Sequence, residues 1–370
     1  MMNPRIAPLV SLAILLAFSP KNPARADVDT RAIDAVRAKT VLDAGDLQAI
    51  DDFVSAAVKE VSRTRDFSQV AKARAVLIGK KGAQPQYAKQ FSDCCRKHIA
   101  ASLEQAAANL PEDRKFKVTL NLLILADGLQ DVAMADLGLA YLNSPNKALR
   151  YWAVRLVTNT TVVDRINQGN WPVGGQILSQ LQQLIRVPGR PGPSETLGLV
   201  AEFAAKVNAP EGQQLLMDAA DLRITEYASG QAEDGQADTT LLKLLSTRLA
   251  AANANAKTAQ VASRFAQLYS YVIQRLAKAG SALSEAQKEQ LISVVVEVEE
   301  KCIAPLAESY LMPLRKAIEK SDMAALLTEH DRLLGSSTVA GQWVTKWQFD
   351  YGTGPDGKAR TWPKDLSRNN

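Results

Sequence analysis

The chain has 370 residues, 46% hydrophobic and 22% charged, enough for one large core or two and far from the composition of disordered proteins. Lys and Arg number 44 against 39 Asp and Glu, a net charge of +5, with only two His and three Cys. That composition thins the supply of acid–base and metal ligands, and the basic excess is too small to argue for nucleic acid.

The N-terminus accounts for part of the excess. Arg5 precedes the apolar run Leu9–Phe18, and a polar stretch then ends in Ala24-Arg25-Ala26. A positive end, a short apolar core and small residues before a cut form a secretory signal over 1–26, cleaved near Ala26/Asp27. Ten residues are too few to span a bilayer, which takes about 20. Arg5, Lys21 and Arg25 leave with the signal and no acid does, so 41 basic side chains then face 39 acidic ones. The expected location is secreted or periplasmic, with no transmembrane segment after cleavage.

From Asp27 onward the spacing of apolar residues predicts helix almost throughout. Arg31–Ala44 and Asp46–Arg63 carry Ile33, Val36, Val41, Leu47, Ile50, Phe53, Val54 and Val58, with Gly45 as the break and Asp46 as N-cap. Phe67–Ile78, Gln84–Asn109 and Glu112–Ala126 follow, the last closed by Gly128. Val132–Val163 then reads as two short helices around Asn143-Ser144-Pro145-Asn146. Ala133, Leu137, Ala140 and Tyr141 share one face, as do Leu149, Trp152, Ala153, Leu156 and Val157. Asn167–Gly175 is expected as a loop and Gln176–Val187 as a helix. Three prolines in Pro188–Pro193 forbid helix and mark the strongest break.

The second half resumes with Ser194–Val207 and Pro210–Tyr227, where Asn208-Ala209-Pro210 echoes the earlier Asn-x-Pro turn. After an acidic loop over Ser229–Asp238 come Thr239–Ala256, Ala259–Ala279, and Ser284–Cys302, which opens with the capping pattern Ser284-x-x-Gln287. Ser321–Leu334 ends at Gly335. Trp347, Phe349 and Tyr351 alternate at strand period near Trp343 and Trp362, so a hairpin or extended tail is expected to cap the last helices.

The run Ser144-Pro145-Asn146-Lys147-Ala148-Leu149-Arg150-Tyr151-Trp152-Ala153-Val154-Arg155-Leu156 resembles the second helix of a HEAT-like, armadillo-type repeat, with Pro in the turn, an aliphatic–Arg pair and a small residue packed close. The family's usual turn Asp is Asn143 here. The resemblance covers about 30 residues and implies an all-α fold, a right-handed α-α superhelix (a HEAT-like solenoid), ending in a short irregular or hairpin tail. It also implies a binding or scaffolding role without chemistry. The expected organisation is a signal over 1–26, a helical block over 27–187, a link over 188–193, a second helical block over 194–340 and an aromatic tail over 341–370.

Three groups of residues invite a functional reading. Residues 59–117 hold thirteen basic and six acidic side chains, while 210–240 hold one basic (Arg223) and seven acidic. If Lys72, Arg74, Lys80, Lys81, Lys89, Arg96 and Lys97 share one face they form a site for an anionic glycan or polymer; otherwise they are ordinary solvated helix faces. Cys94 and Cys95 lie one turn before His98, so either thiolate could share a metal with the imidazole. The alternatives are a disulfide from this pair to the third cysteine, Cys95 with Cys302, or plain buried side chains. The tail aromatics either stack on sugars or cap the core. Ser144-x-x-Lys147 lacks the partner motifs of serine acyl-transfer enzymes, and Glu297, Glu299 and Glu300 read as a solvated face. No catalytic set, metal or cofactor is called for. The expected function is a non-catalytic binding or scaffolding protein of the cell envelope, with a protein or envelope component as partner. The alternative is an enzyme of polysaccharide-processing type whose site assembles only in three dimensions.

Overall fold

The computed structural model describes residues 29–186, 194–232, 234–251, 256–278, 282–307, 310–354 and 357–366. Regular structure among them is helical, apart from two isolated antiparallel bridges, Gly335 with Ala340 and Thr353 with Ala359. The expected signal over 1–26 and the proline-rich link over 188–193 lie outside the described residues. No helix among the described residues is long and apolar enough to cross a membrane.

The first helices are α1 (Arg31–Val36), α2 (Ala44–Arg63), α3 (Phe67–Gly79), α4 (Pro85–Asn109) and α5 (Glu112–Leu129). The expected break at Gly45 is displaced, because Asp43 and not Asp46 caps α2. The Asp46 N–H donates to Asp43 Oδ1 at 2.9 Å and the Asp43 N–H donates back to Asp46 Oδ2 at 3.1 Å, a reciprocal capping box. Gly45 therefore lies inside the first turn. Gly128 does not close α5 either. The helix runs on to a left-handed Gln130, with φ of 47°. A Cβ on Gly128 would come within 2.5 Å of Ile78 Cδ1, so this glycine lets α3 approach α5.

A 3₁₀ turn over Val132–Met134 leads into α6 (Ala135–Leu139), followed by α7 (Lys147–Val157), α8 (Thr160–Asn167) and α9 (Pro172–Ile185). Asn146 caps α7, accepting from the Ala148 and Leu149 N–H groups at 3.0 and 3.3 Å. A Cβ on Gly138 would lie 2.8 Å from Val157 Cγ1, so α6 crosses α7 at close range. The loop expected over 167–175 shrinks to four residues, since α9 starts at Pro172, which needs no N–H at that position.

The chain continues through α10 (Ser194–Lys206), α11 (Pro210–Ala228), α12 (Gln236–Ala250), α13 (Ala256–Lys278), α14 (Glu285–Val298), α15 (Pro313–Glu319), α16 (Met323–Leu334) and α17 (Gln342–Trp347). The Ser284–Gln287 capping box forms as the pattern predicts. The expected helix to Cys302 changes character at its end, however, with a π turn over Glu299–Ile303 and a 3₁₀ turn over Ala304–Leu306. Pro305 has no N–H with which to continue the ladder. Glu299, expected on a solvated face, is fully buried. Its two carboxylate oxygens accept from the Leu314 and Arg315 N–H groups at 2.8 and 2.7 Å, capping α15.

The apolar interior forms two clusters. One runs from Ile33 to Leu156 and the other from Ala135 to Tyr351. Helix α7 contributes to both, Leu156 to the first and Ala153, Val154 and Val157 to the second. The tail corrects the strand-period reading in part: Trp343 and Trp347 lie on α17, while Phe349 and Tyr351 are buried after it and a short antiparallel turn pairs Tyr351 with Arg360 and Thr353 with Ala359. Trp343 stacks on Phe265 with ring centroids 5.2 Å apart, and the Tyr351 hydroxyl donates to the Leu334 carbonyl at 2.8 Å. These rings belong to the core.

Arg223, the lone cation of the acidic stretch, is buried where α11 meets α12. Its Nε donates to Asp238 Oδ1 at 2.6 Å, and the Tyr227 hydroxyl donates to Asp238 Oδ2 at 2.5 Å. Asp238 has no exposed surface. Asp238→Ala would leave the buried guanidinium with Glu226 as its remaining carboxylate partner and the Tyr227 hydroxyl without its acceptor, and we expect a loss of about 3 kcal/mol in urea unfolding. A loss below about 1 kcal/mol would show that water reaches the pair.

Candidate functional site

The seven basic residues singled out in the sequence do not make one free cationic face. Lys80 pairs with Asp34 at 2.7 Å, Lys89 with Asp93 at 2.7 Å and Lys97 with Asp51 at 2.8 Å. Arg96 pairs with Asp136, and Lys81 donates to the Leu129 carbonyl. Lys72 and Arg74 lie on α3. Arg74 Nη1 is buried without a hydrogen-bond partner, and burial lowers its pKa. Arg96 and Lys97 reach to opposite sides of α4, one toward α6 and the other toward α2. Asp34, Asp51 and Asp136 come from neighbouring helices outside 59–117, which the local count could not register, whereas Asp93 lies on α4 itself.

Helix α4 brings Cys94 and His98 to Asp51 on α2. Asp51 Oδ1 lies 2.8 Å from Lys97 Nζ, 3.0 Å from His98 Nε2 and 3.5 Å from Cys94 Sγ. Hydrogen bonding from Lys97, reinforced by His98, lowers the Asp51 pKa to about 2. The same carboxylate works against the thiol: burial, with Asp51 beside it, raises the Cys94 pKa to about 11. A thiolate nucleophile or metal ligand needs the opposite shift. Burial also raises Cys95 and Cys302. All three cysteines are free and buried, so no Cys95–Cys302 bridge is present. Cys95 lies in the first core cluster and Cys302 in the second. Among the described residues no group of three or more His, Cys, Asp or Glu is placed to hold a metal ion.

One constellation has no sequence motif. Ser270 on α13 lies 2.8 Å from His330 Nε2 on α16, and His330 Nδ1 lies 2.8 Å from Asp331 Oδ1. Gln274 Nε2 donates to Ser270 Oγ at 2.9 Å, which leaves the serine hydrogen for the imidazole. The order matches an acyl-transfer relay, but its setting does not. Ser270 has no exposed surface and His330 is 4% exposed. The segment over 364–366 also closes on it: Gln267 and Gln274 bond the Lys364 backbone, and Gln274 accepts from the Leu366 N–H at 2.9 Å. In this setting the relay is a polar clasp joining α13, α16 and the tail. Sixty residues separate Ser270 from His330, so no local spacing could have found it.

The accessible concavity lies elsewhere. A cleft of about 350 Å³ opens where the α8–α9 loop meets the α10–α11 turn. Ile166, Gly174 and Leu178 supply apolar surface, Trp171 lines it half-buried, and Asn170, Ser179 and Glu211 stand exposed at its rim. Asn167 ties the two turns together: its Nδ2 donates to the Lys206 carbonyl at 3.0 Å, and its Oδ1 accepts from the Asn208 N–H at 2.8 Å. Gly169 and Asn170 both adopt positive φ, 77° and 51°, which swings the chain back before Trp171. Trp171 sat in a stretch expected as loop, between glycines. A large aromatic in such a loop is the signal that could have found it.

Compared with known proteins, the chain matches no family profile and no curated protein. Among solved structures it is similar to an engineered protein determined as a structural-genomics target. Identity is 12%, covering 83% of this chain and 90% of that one, with a TM-score of 0.19. A likeness of that size carries nothing about arrangement or function to this chain.

Three measurements check the site. Thiol titration in denaturant without reductant should count three thiols, whereas a Cys95–Cys302 bridge would leave one. In the native protein a Cys94 pKa of about 11 leaves roughly one thiol in a thousand ionised at pH 8, so alkylation there should be slow. Asp51, with its folded pKa below the unfolded value, stabilises the fold above the usual carboxylate pKa and loses that contribution as pH falls toward 2. The Tm gap between the natural chain and Asp51→Asn should therefore be present at pH 7 and shrink between about pH 4 and pH 2. A gap independent of pH would mean that the charge is not what Asp51 contributes.

Proposed function

We propose that this chain is a non-catalytic binding or scaffolding protein of the cell envelope, built as a HEAT-like right-handed superhelix and exported by a signal cut near Ala26/Asp27. The observation that carries this reading is the order of packing. Helix α2 packs on α4, α3 on α5, α5 on α7, α9 on α11, α10 on α12, α11 on α13 and α12 on α14. Contact between a helix and the one two places further on is how helix pairs stack into a solenoid, where each unit buries its apolar face on the next; between α6 and α10 the packing steps three places instead, α6 on α9 and α7 on α10. Two polar contacts agree with it. Arg150, in the stretch resembling a HEAT repeat, is buried and donates to the Ser144 carbonyl of its own turn at 2.6 Å. Asp127 on α5 pairs with Arg155 on α7 at 3.2 Å, linking neighbouring units where Asn143 offers no carboxylate.

An enzyme assembled in three dimensions is the second reading, and the Ser270–His330–Asp331 relay is the observation behind it. Burial of Ser270 and the raised Cys94 pKa count against it, because a nucleophile must be both ionisable and reachable. The two readings separate in one experiment. Native mature chain is incubated with envelope fractions and, in parallel, with a fluorophosphonate probe. A saturable complex of fixed stoichiometry and no covalent adduct is the expected result. An adduct on Ser270, lost in Ser270→Ala, would overturn the non-catalytic reading. Intact Met1 on chain recovered from an envelope or extracellular fraction would overturn the cleaved signal.

A further inference from the structure

We infer that the Trp171 cleft is a binding site for a neutral saccharide, one or two sugar residues of a glycan. Its volume, about 350 Å³, is at the low end of the range typical of small-ligand pockets, about 300–1,000 Å³.

Three properties select the ligand class. First, the wall is an aromatic ring in a half-exposed position. The apolar C–H face of a pyranose packs on an indole, and an amphipathic ring of this kind suits a partner with one apolar and one polar face. The ring is held firmly: built Cβ positions on Gly174 fall 3.1 Å from Trp171 Cε3 and 2.9 Å from Ile166 Cγ1, so Trp171 and Ile166 both pack directly on that backbone. Second, the rim offers an amide (Asn170), a hydroxyl (Ser179) and a carboxylate (Glu211) that make no hydrogen bond among the described residues. They are donors and acceptors of the kind that vicinal hydroxyls satisfy. Of the tail aromatics, Trp343, Phe349 and Tyr351 are buried in the core, while Trp347 and Trp362 are half-buried.

The third property is charge. The lining residues include Glu211 and no Lys or Arg, and the nearby Arg165 guanidinium is engaged by the Gly169 carbonyl, so the cleft offers an anion a carboxylate and no lining cation. A cation is disfavoured differently. The Arg165 guanidinium already lies 5.9 Å from the Trp171 ring centroid, fixed by a 3.1 Å bond from its Nη1 to the Gly169 carbonyl. An ammonium ligand would meet a ring already shared with a positive charge. A neutral polyol meets neither obstacle.

Gly175 supplies a clean test. It lines the cleft, and a Cβ built there meets nothing within 4 Å. A side chain added at this lining position starts in open space, and replacing glycine within α9 does not lower helix propensity. The inference does not depend on the scaffold role, and each can fail alone.

The experiment titrates the mature chain with neutral disaccharides (cellobiose, maltose and N,N′-diacetylchitobiose) while following tryptophan fluorescence and heat. Glucuronate and choline serve as charged controls. We expect saturable binding of at least one neutral sugar. Trp171→Ala and Gly175→Leu should each weaken it at least tenfold, Gly175→Leu at an unchanged Tm, which separates blocking from unfolding. Binding that survives both substitutions, a preference for glucuronate or choline, or no saturation by any neutral sugar with folded protein would each overturn the assignment.

Discussion

The shared burial of α7 is the constraint on which the rest depends. Eleven residues cannot bury enough apolar surface to hold themselves. Helix α7 resolves this by facing two interiors, with Leu156 in one and Ala153, Val154 and Val157 in the other. Close packing on both sides demands small groups at the crossings, which is why Gly138 admits Val157 and Gly128 admits Ile78. Each cluster then excludes water from the other's edge, and the described helices on either side inherit a packed wall.

Charge follows the same economy. Cations that look free along the sequence find carboxylates on other helices, as Lys80 finds Asp34 and Lys97 finds Asp51. In the acidic stretch the reverse happens, where one buried Arg223 holds Asp238 and Glu226. Exposed pairs of the first kind contribute little stability each, and each places a carboxylate beside its cation. The buried pair is a different matter, because neither partner could remain inside without the other.

Groups able to do chemistry are placed where chemistry is suppressed. The Cys94 thiol faces a carboxylate and is pushed away from ionisation. Ser270 and His330 are sealed beneath the 364–366 segment. The open polar groups instead surround Trp171, where two turns are tied by Asn167.

Sequence by itself determined the all-helical character and most helix positions, because apolar spacing and caps such as Ser284 with Gln287 act within a single helix. It also found the short α6–α7 pair. It misjudged the ends at Gly45, Gly128 and Glu299, where the deciding partner was a capping side chain or a residue far along the chain. The alternation of Trp347, Phe349 and Tyr351 suggested a strand, yet burial against α13 and α16 outweighed local period. Tertiary structure alone decided that Lys80 meets Asp34 and Lys97 meets Asp51, that Ser270 meets His330, and that Trp171 borders a cleft shared with the α10–α11 turn. Each of these depends on contacts between residues about 40 or more positions apart, and no local pattern encodes such a distance.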